Sequence, residues 1–334
     1  MKEENHVRKF LKIFGGIIIA LVLLIGAGLA YFVASFPKAE PAADIKIQAT
    51  PEKIARGKYL AHHVTVCIDC HSTRNFDYFS GPVVAGTEGK GGMEFPDLAG
   101  TFYPGNITPA ALGNWTDGEI IRAITAGVDK EGAALFPMMP YPIYKELAQE
   151  DVEAIVAYIR TLPAIQNDVP KSKVNFPLNL IMRMIPQPHR PQPRPAPADT
   201  LAYGKYLNTI SGCHFCHTPI DNQGQPLPGM DFAGGQEFKF PWGPVVRSAN
   251  ITPEEDVGIG AWDKEFFIGR FKEYADSTNS HIAISKDGDN TVMPWTMYAG
   301  MTEEDLGAIY SYLRSLKPVR NEVEKHPKTA TNPN

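Results

Sequence analysis

The sequence predicts an all-α chain in which two tandem helical domains are joined by a proline-rich linker and preceded by a single transmembrane helix. Three observations predict it. A Cys-x-x-Cys-His run occurs twice, at Cys67-Ile68-Asp69-Cys70-His71 and Cys213-His214-Phe215-Cys216-His217, and uses all 4 cysteines. Each run sits at the same place in a longer repeat. From Ile13 to Pro37 no residue is charged, although 21% of the whole chain is. At 334 residues the chain has length for about two domains, each able to bury a core. A formal net charge of -5 gives none of the basic balance that nucleic-acid binding requires, so no nucleic-acid partner is expected.

The first element is the apolar stretch. Residues 13–37 extend about 35 Å as a helix, enough to cross a bilayer. Arg8, Lys9 and Lys12 precede it, which places residues 1–12 in the cytoplasm and everything beyond Lys38 outside. A cleaved signal peptide is the competing reading. Its apolar region is normally shorter, and no small-x-small site stands near Ala34 or Ala39, so a retained anchor is favoured. Residues 38–50, rich in Ala, Pro and charge, read as a tether.

Domain 1 (51–163) and domain 2 (200–320) then follow one plan. Gly57-Lys58-Tyr59-Leu60 precedes the first Cys run and Gly204-Lys205-Tyr206-Leu207 the second. Asn106-Ile107-Thr108-Pro109 returns as Asn250-Ile251-Thr252-Pro253, Gly113-Asn114-Trp115 as Gly260-Ala261-Trp262, and Met139-Pro140-Tyr141 as Met293-Pro294-Trp295. Helix starts follow each Trp: Thr116 with Glu119 is a capping box, and Asp263 is an N-cap. Each domain ends in a helix of the right apolar period, through Val152, Ile155, Val156, Ile159 and Leu162, or Leu306, Ile309, Tyr310, Leu313 and Leu316. Thr302 is a cap for the last helix, with Ala148 in its place in domain 1. Domain 2 has extra residues within 276–290, a polar stretch that reads as an exposed loop.

The linker (164–199) is too rich in proline for a regular helix. Phe176-Pro177-Leu178-Asn179-Leu180-Ile181-Met182 is apolar and is expected on a domain surface or in a cleft, with Gln187 to Ala198 as the spacer. The polar residues 321–334 are expected to be frayed.

C-x-x-C-H is the attachment signature of a c-type haem. On a helix, i, i+3 and i+4 share a face, so two thiols and an imidazole meet one side of a macrocycle. Cys67 and Cys70, and likewise Cys213 and Cys216, would form thioethers, with His71 and His217 as proximal iron ligands. A lone C-x-x-C could be half a zinc site or a redox pair, but zinc wants four ligands and a thioredoxin-like pair wants a βαβ context. Methionine on the far side raises the potential and closes the iron to substrate. Met138, Met297 and Met301 are nearby candidates. Met139 and Met293 are preferred because only they occupy equivalent places in the repeat. His62 and His63 lie too close to Cys67 to reach the distal face, and His214 should point away from the iron.

This order of motifs resembles class I cytochrome c domains, and more narrowly the multi-haem cytochrome c subunits of bacterial membrane-bound alcohol and gluconate dehydrogenases. The resemblance covers residues 50–320, including Val174-Asn175-Phe176-Pro177-Leu178. It implies two covalently attached haem c groups, one held by Cys67, Cys70, His71 and Met139 and the other by Cys213, Cys216, His217 and Met293. It also implies that Gly57 and Gly204 let the first helix of each domain cross the last, against Tyr158 and Tyr312, and that Trp115 and Trp262 pack near haem or core. Those dehydrogenase subunits typically carry three haems, and this chain has motifs for two.

The expectation is a non-enzymatic, membrane-anchored electron carrier on the exported side of the bacterial cytoplasmic membrane. Its partners would be a redox donor and acceptor, including a dehydrogenase catalytic subunit. A di-haem peroxidase-like enzyme or a haem-based sensor is the alternative, and either would need an iron with an open or labile position.

Overall fold

The structure, a computed structural model, describes residues 2–97, 99–239, 245–276, 279–285 and 288–327. These are mostly helical. Of the predicted apolar segment 13–37, residues 13–35 lie within α1 (Lys2–Ser35) and the last two beyond its end, and Asn5–Ser35 is long and apolar enough by composition to cross a membrane, with none of its most apolar window buried against protein. Residues 38–50 then run without regular structure along the first half, with the Ile47 amide donating to Asp117 Oδ2 at 2.8 Å. Gly118 admits the Ala43 carbonyl, which a Cβ would meet at 1.9 Å.

In the first half, α2 (Pro51–Tyr59) begins at Thr50, whose Oγ1 accepts the Lys53 amide, with proline at the first helical position. It widens into a π turn over Leu60–Val64 before α3 (Cys67–Cys70). Strands β1 (Phe95–Asp97) and β2 (Gly100–Phe102) and helices α4 (Pro109–Leu112), α5 (Asp117–Ala126), α6 (Tyr141–Tyr144) and α7 (Gln149–Ile159) follow. The Thr116–Glu119 capping box forms.

The linker contributes β3 (Lys173–Val174), which pairs antiparallel with β2 to complete the sheet β1-β2-β3, and α8 (Leu178–Ile181). These strands are absent from the all-α expectation because two or three residues are too few to show a period. Residues 187–198 have no helix or strand, yet they are fixed to the first half. His189 Nε2 lies 3.0 Å from the Leu147 carbonyl, and Arg194 Nη1 donates to Asp151 at 2.9 Å.

The second half repeats the order with α9 (Thr200–Ile210), α10 (Cys213–His217), β4 (Glu237–Phe238), β5 (Val246–Arg247), α11 (Lys264–Lys272), α12 (Trp295–Tyr298) and α13 (Glu303–Arg314). Asp263 caps α11 and Thr302 caps α13. In both halves the first long helix crosses the last at a glycine. A Cβ on Gly57 would lie 1.8 Å from the Ala154 carbonyl oxygen and one on Gly204 2.0 Å from that of Ala308, with Tyr158 and Tyr312 alongside. Only glycine allows so close a crossing.

The halves share one apolar core, in which Leu60, Val64 and Ile155 are continuous with Leu207, Ile210 and Leu306. A reciprocal pair of tyrosines closes it. Tyr59 Oη donates to Asp305 Oδ2 at 2.6 Å and accepts the Thr302 amide, while Tyr206 Oη donates to Asp151 Oδ2 at 2.7 Å and accepts the Ala148 amide. Each tyrosine of a Gly-Lys-Tyr-Leu run thereby satisfies an amide and a carboxylate at the N-terminus of the other half's last helix.

The described part of 276–290 is exposed or half-buried throughout, as its composition suggests, but its backbone is tied to the first half. Phe79 N donates to Ile282 O and Ile284 N to Asp77 O, and Phe79 stacks on Tyr274, so this segment lies on the first half. Residues 277, 278, 286 and 287 lie outside the described residues, as do Met1 and 328–334 of the predicted termini. The tail up to Lys325 is anchored: Arg247 N donates to Lys325 O, and Asn321 Nδ2 to Ala233 O.

Candidate haem sites

Each Cys-x-x-Cys-His turn starts after a left-handed residue, Val66 at φ 44° and Gly212 at φ 74°, which redirects the chain out of the preceding helix. All four cysteines are free thiols. Burial pushes the Cys213 thiol up to about 12 and that of Cys216 to about 11, the opposite of a reactive redox pair. Among the described residues, no three His, Cys, Asp or Glu side chains converge as a structural zinc site requires.

The two histidines are held alike. His71 Nδ1 lies 2.7 Å from the Gly105 carbonyl and His217 Nδ1 2.7 Å from that of Ala249. A carbonyl can only accept, so Nδ1 carries the proton and Nε2 keeps its lone pair. This is the form that ligates a metal. Burial lowers both imidazole pKa values, against the pull of these hydrogen bonds, which keeps the rings neutral near pH 7.

Those carbonyls belong to the residues just before the Asn-Ile-Thr-Pro runs. Asn106 Oδ1 accepts the Thr108 amide and hydroxyl, and its Nδ2 donates to Ile165 O at 2.7 Å. Asn250 repeats this with Thr252 and with Val319 O at 2.8 Å. The residue before each Asn, Gly105 or Ala249, is thus fixed to the chain leaving the last helix. In the sequence these runs mark the repeat without disclosing that role.

A second supporting pair is Tyr144 and Tyr298. Tyr144 Oη donates to Thr65 O at 2.5 Å and Tyr298 Oη to Ser211 O at 2.6 Å, each two residues before a Cys-x-x-Cys-His run. Burial raises both phenol pKa values well above the ordinary value, so both remain donors. The signal for them was a tyrosine five positions after each Met139 or Met293.

Met139 and Met293 have matching backbone. Pro140 (φ −79°, ψ 47°) and Pro294 (φ −79°, ψ 62°) each centre a tight turn, closed by Tyr141 N to Met139 O at 2.7 Å and Trp295 N to Met293 O at 2.8 Å. Both methionines pack with Cys67 and Cys213 against the shared core, whereas Met138 is exposed. Met297 and Met301 are buried. Cys70 and Cys216 are near enough for charge on one to raise the other's pKa, so the two Cys-x-x-Cys-His turns approach each other.

The first turn also holds a buried ion pair, Asp69 with Arg74 at 2.8 Å. Burial outweighs Arg74 and raises the Asp69 pKa. Arg74 continues to the Ser80 and Gly81 carbonyls at 2.6 and 2.8 Å. In the second turn His214 points outward to Asp231 at 2.7 Å. His62 Nε2 meets Tyr158 Oη at 2.6 Å and His63 Nδ1 meets Met297 O at 2.8 Å, so both rings are engaged in packing between elements. The donor set fits a haem at each turn: two un-ionised thiols one helical turn apart, a neutral imidazole with Nε2 free, and one methionine per half in a matching turn.

No family model matches the chain. Among curated proteins it is 31% identical over 282 residues to the cytochrome c subunit of an alcohol dehydrogenase (quinone) from Gluconacetobacter polyoxogenes, covering 80% of this chain and 56% of that protein. It is 29% identical over 288 residues to the gluconate 2-dehydrogenase cytochrome c subunit of Pantoea cypripedii, covering 80% and 60%. To a diheme cytochrome c-type protein of Cereibacter sphaeroides it is 26% identical over 277 residues, covering 76% and 82%. The chain therefore spans a little over half the length of the two dehydrogenase subunits. Its homologues are cytochrome c subunits of dehydrogenases and a diheme cytochrome c, the kind of protein that its Cys-x-x-Cys-His, Asn-Ile-Thr-Pro and Met-Pro repeats resemble.

Proposed function

We propose that the chain is a membrane-anchored di-haem c-type cytochrome that passes electrons on the exported side of the membrane, as subunit or partner of a respiratory dehydrogenase or oxidase chain. Residues 51–163 and 200–320 form two class I cytochrome c domains, with 164–199 as linker and α1 as a single-pass anchor. Cys67, Cys70, Cys213 and Cys216 would hold the two haems covalently, and His71, Met139, His217 and Met293 would be the iron ligands. Bound haem supplies one-electron redox chemistry.

The protein's part is positioning. Gly105 and Ala249 orient the imidazoles, Tyr144 and Tyr298 tie down the approach to each Cys-x-x-Cys-His turn, and methionine closure leaves no position for substrate. The shared core sets the spacing between sites. The observation that carries this reading is the identical Nδ1-to-carbonyl bond at both histidines, 2.7 Å in each. A dehydrogenase catalytic subunit is the proposed electron donor, by analogy with the relatives' names.

The test is a haem count on the full-length protein matured in an exporting host, followed by mixing with a membrane dehydrogenase and its substrate. Two covalent haems per chain, both reduced on adding substrate, support the proposal. One haem, or bound zinc in place of haem, would end it.

A further inference from the structure

We propose that the linker around α8 is a second membrane contact, an interfacial foot that rests in the headgroup layer of the bilayer crossed by α1. This rests on the anchor reading of α1 and deepens it. Phe176 (78% exposed), Leu178 (38%), Ile181 (44%) and Met184 (49%) crowd an apolar surface onto one turn and its flanks. Water is a poor environment for four large apolar side chains so close together, and such a patch marks an interaction surface.

Its position selects the occupant. Arg183, between Ile181 and Met184, donates to the carbonyls of Val33 at 3.0 Å and Phe36 at 2.5 Å. Those carbonyls end the apolar helix. The uncharged stretch begins at Ile13, and a bilayer core of about 30 Å takes about 20 helical residues, so Val33 to Phe36 lies at the outer boundary of the hydrocarbon. Arg183 therefore fixes α8 at headgroup depth, where a guanidinium can also reach phosphate.

Charge agrees. From Val169 to Ala198 the chain has no acidic residue, but it carries Lys171, Lys173, Arg183, Arg190 and Arg194. Arg194 is taken by Glu150 and Asp151, while Lys171, Lys173 and Arg190 are exposed. An apolar patch flanked by exposed cations is the composition of a segment that lies on an anionic lipid surface. With two attachments, the span and the foot, the first half would keep a fixed face towards the membrane.

The experiment uses the full-length haem-loaded protein in vesicles of phosphatidylethanolamine and phosphatidylglycerol. With the natural cysteines occupied as thioethers, Ile181→Cys, Leu23→Cys and Gln223→Cys each offer one thiol for a nitroxide label. Collision with oxygen, which favours lipid, is compared with collision with a water-soluble nickel chelate, on haem-reduced protein. The expected result is oxygen-dominated contact at 23, chelate-dominated contact at 223, and at 181 oxygen contact exceeding chelate contact. Chelate-dominated contact at 181 with 23 in lipid overturns the foot and leaves the anchor standing. Loss of the lipid signal at 23 overturns the anchor. Protection of 181 from both agents, seen only when a partner protein is added, assigns the patch to a protein and also overturns the proposal.

Discussion

Ser80, in the first half, donates its hydroxyl to the backbone carbonyl of Met293 in the second at 2.6 Å, and accepts the amide of Trp295 at 3.0 Å. It is fully buried and left-handed at φ 63°. Arg74 holds its carbonyl and Asn290 its amide, at 2.6 and 2.9 Å. A turn that follows the first Cys-x-x-Cys-His run thus splints the Met-Pro turn of the other half.

Ser80→Ala removes a donor and an acceptor from a buried place and is expected to cost about 1–3 kcal/mol in stability. It should also weaken the methionine–iron signal and lower the potential of the second haem, with the first unchanged. A redox titration resolving the two haems checks this, and equal shifts at both would refute the one-sided splint.

Gly57→Ala and Gly204→Ala place a methyl within 2.0 Å of a backbone oxygen, at 1.8 and 2.0 Å. Helices must separate to admit it. Each change is expected to destabilise by at least about 1–3 kcal/mol, the range for overpacking, as read in denaturant midpoints. A neutral effect would mean that these helices do not cross as closely as described.

The tyrosine exchange between halves predicts coupling. Tyr59→Phe and Tyr206→Phe each leave a helix-start amide and a carboxylate short of a partner, for about 1–2 kcal/mol apiece. The two pairs meet through Arg56, which bonds Asp151 and faces Asp305, so the double variant should depart from the sum of the two losses by about 0.5–3 kcal/mol. Limited proteolysis should then cut the linker faster in either variant than in the wild type.

Acid should loosen the packing around α2. Burial, with His63 and Lys58 nearby, depresses the His62 pKa from 6.5 to about 4. Between those values the unfolded chain binds the extra proton, so this contribution is intact above pH 6.5 and is lost as pH falls towards 4. His62→Gln should flatten the decline of the denaturation midpoint over that window. An unchanged slope would show that His62 titrates normally.

Much of this was legible in the residues. The four cysteines, two histidines and paired Met-Pro runs lie in short motifs, and duplication singles out Met139 and Met293, whose backbone turns match. The helix crossings at Gly57 and Gly204 are what the resemblance to class I cytochrome c domains implies, and the close backbone contacts at both glycines agree with it. Ser80 was not legible. It has no counterpart in the second half, and its partner lies far along the chain. The exposure of 276–290 was legible in its polar composition, but its backbone bonds to the first half were not, because composition cannot tell a backbone paired with protein from one paired with water. The reciprocal tyrosines were visible as letters in Gly-Lys-Tyr-Leu, but a hydroxyl reaching the other half leaves no local pattern.

In the proposed cytochrome a histidine and a methionine would close each of the two irons. The ferric full-length protein should show the weak near-infrared band of methionine–iron ligation at both haems. Met139→Ala and Met293→Ala should each remove it from one haem, open that iron to carbon monoxide and lower its potential. A five-coordinate or bis-histidine signal from either haem of the unaltered protein would contradict the account.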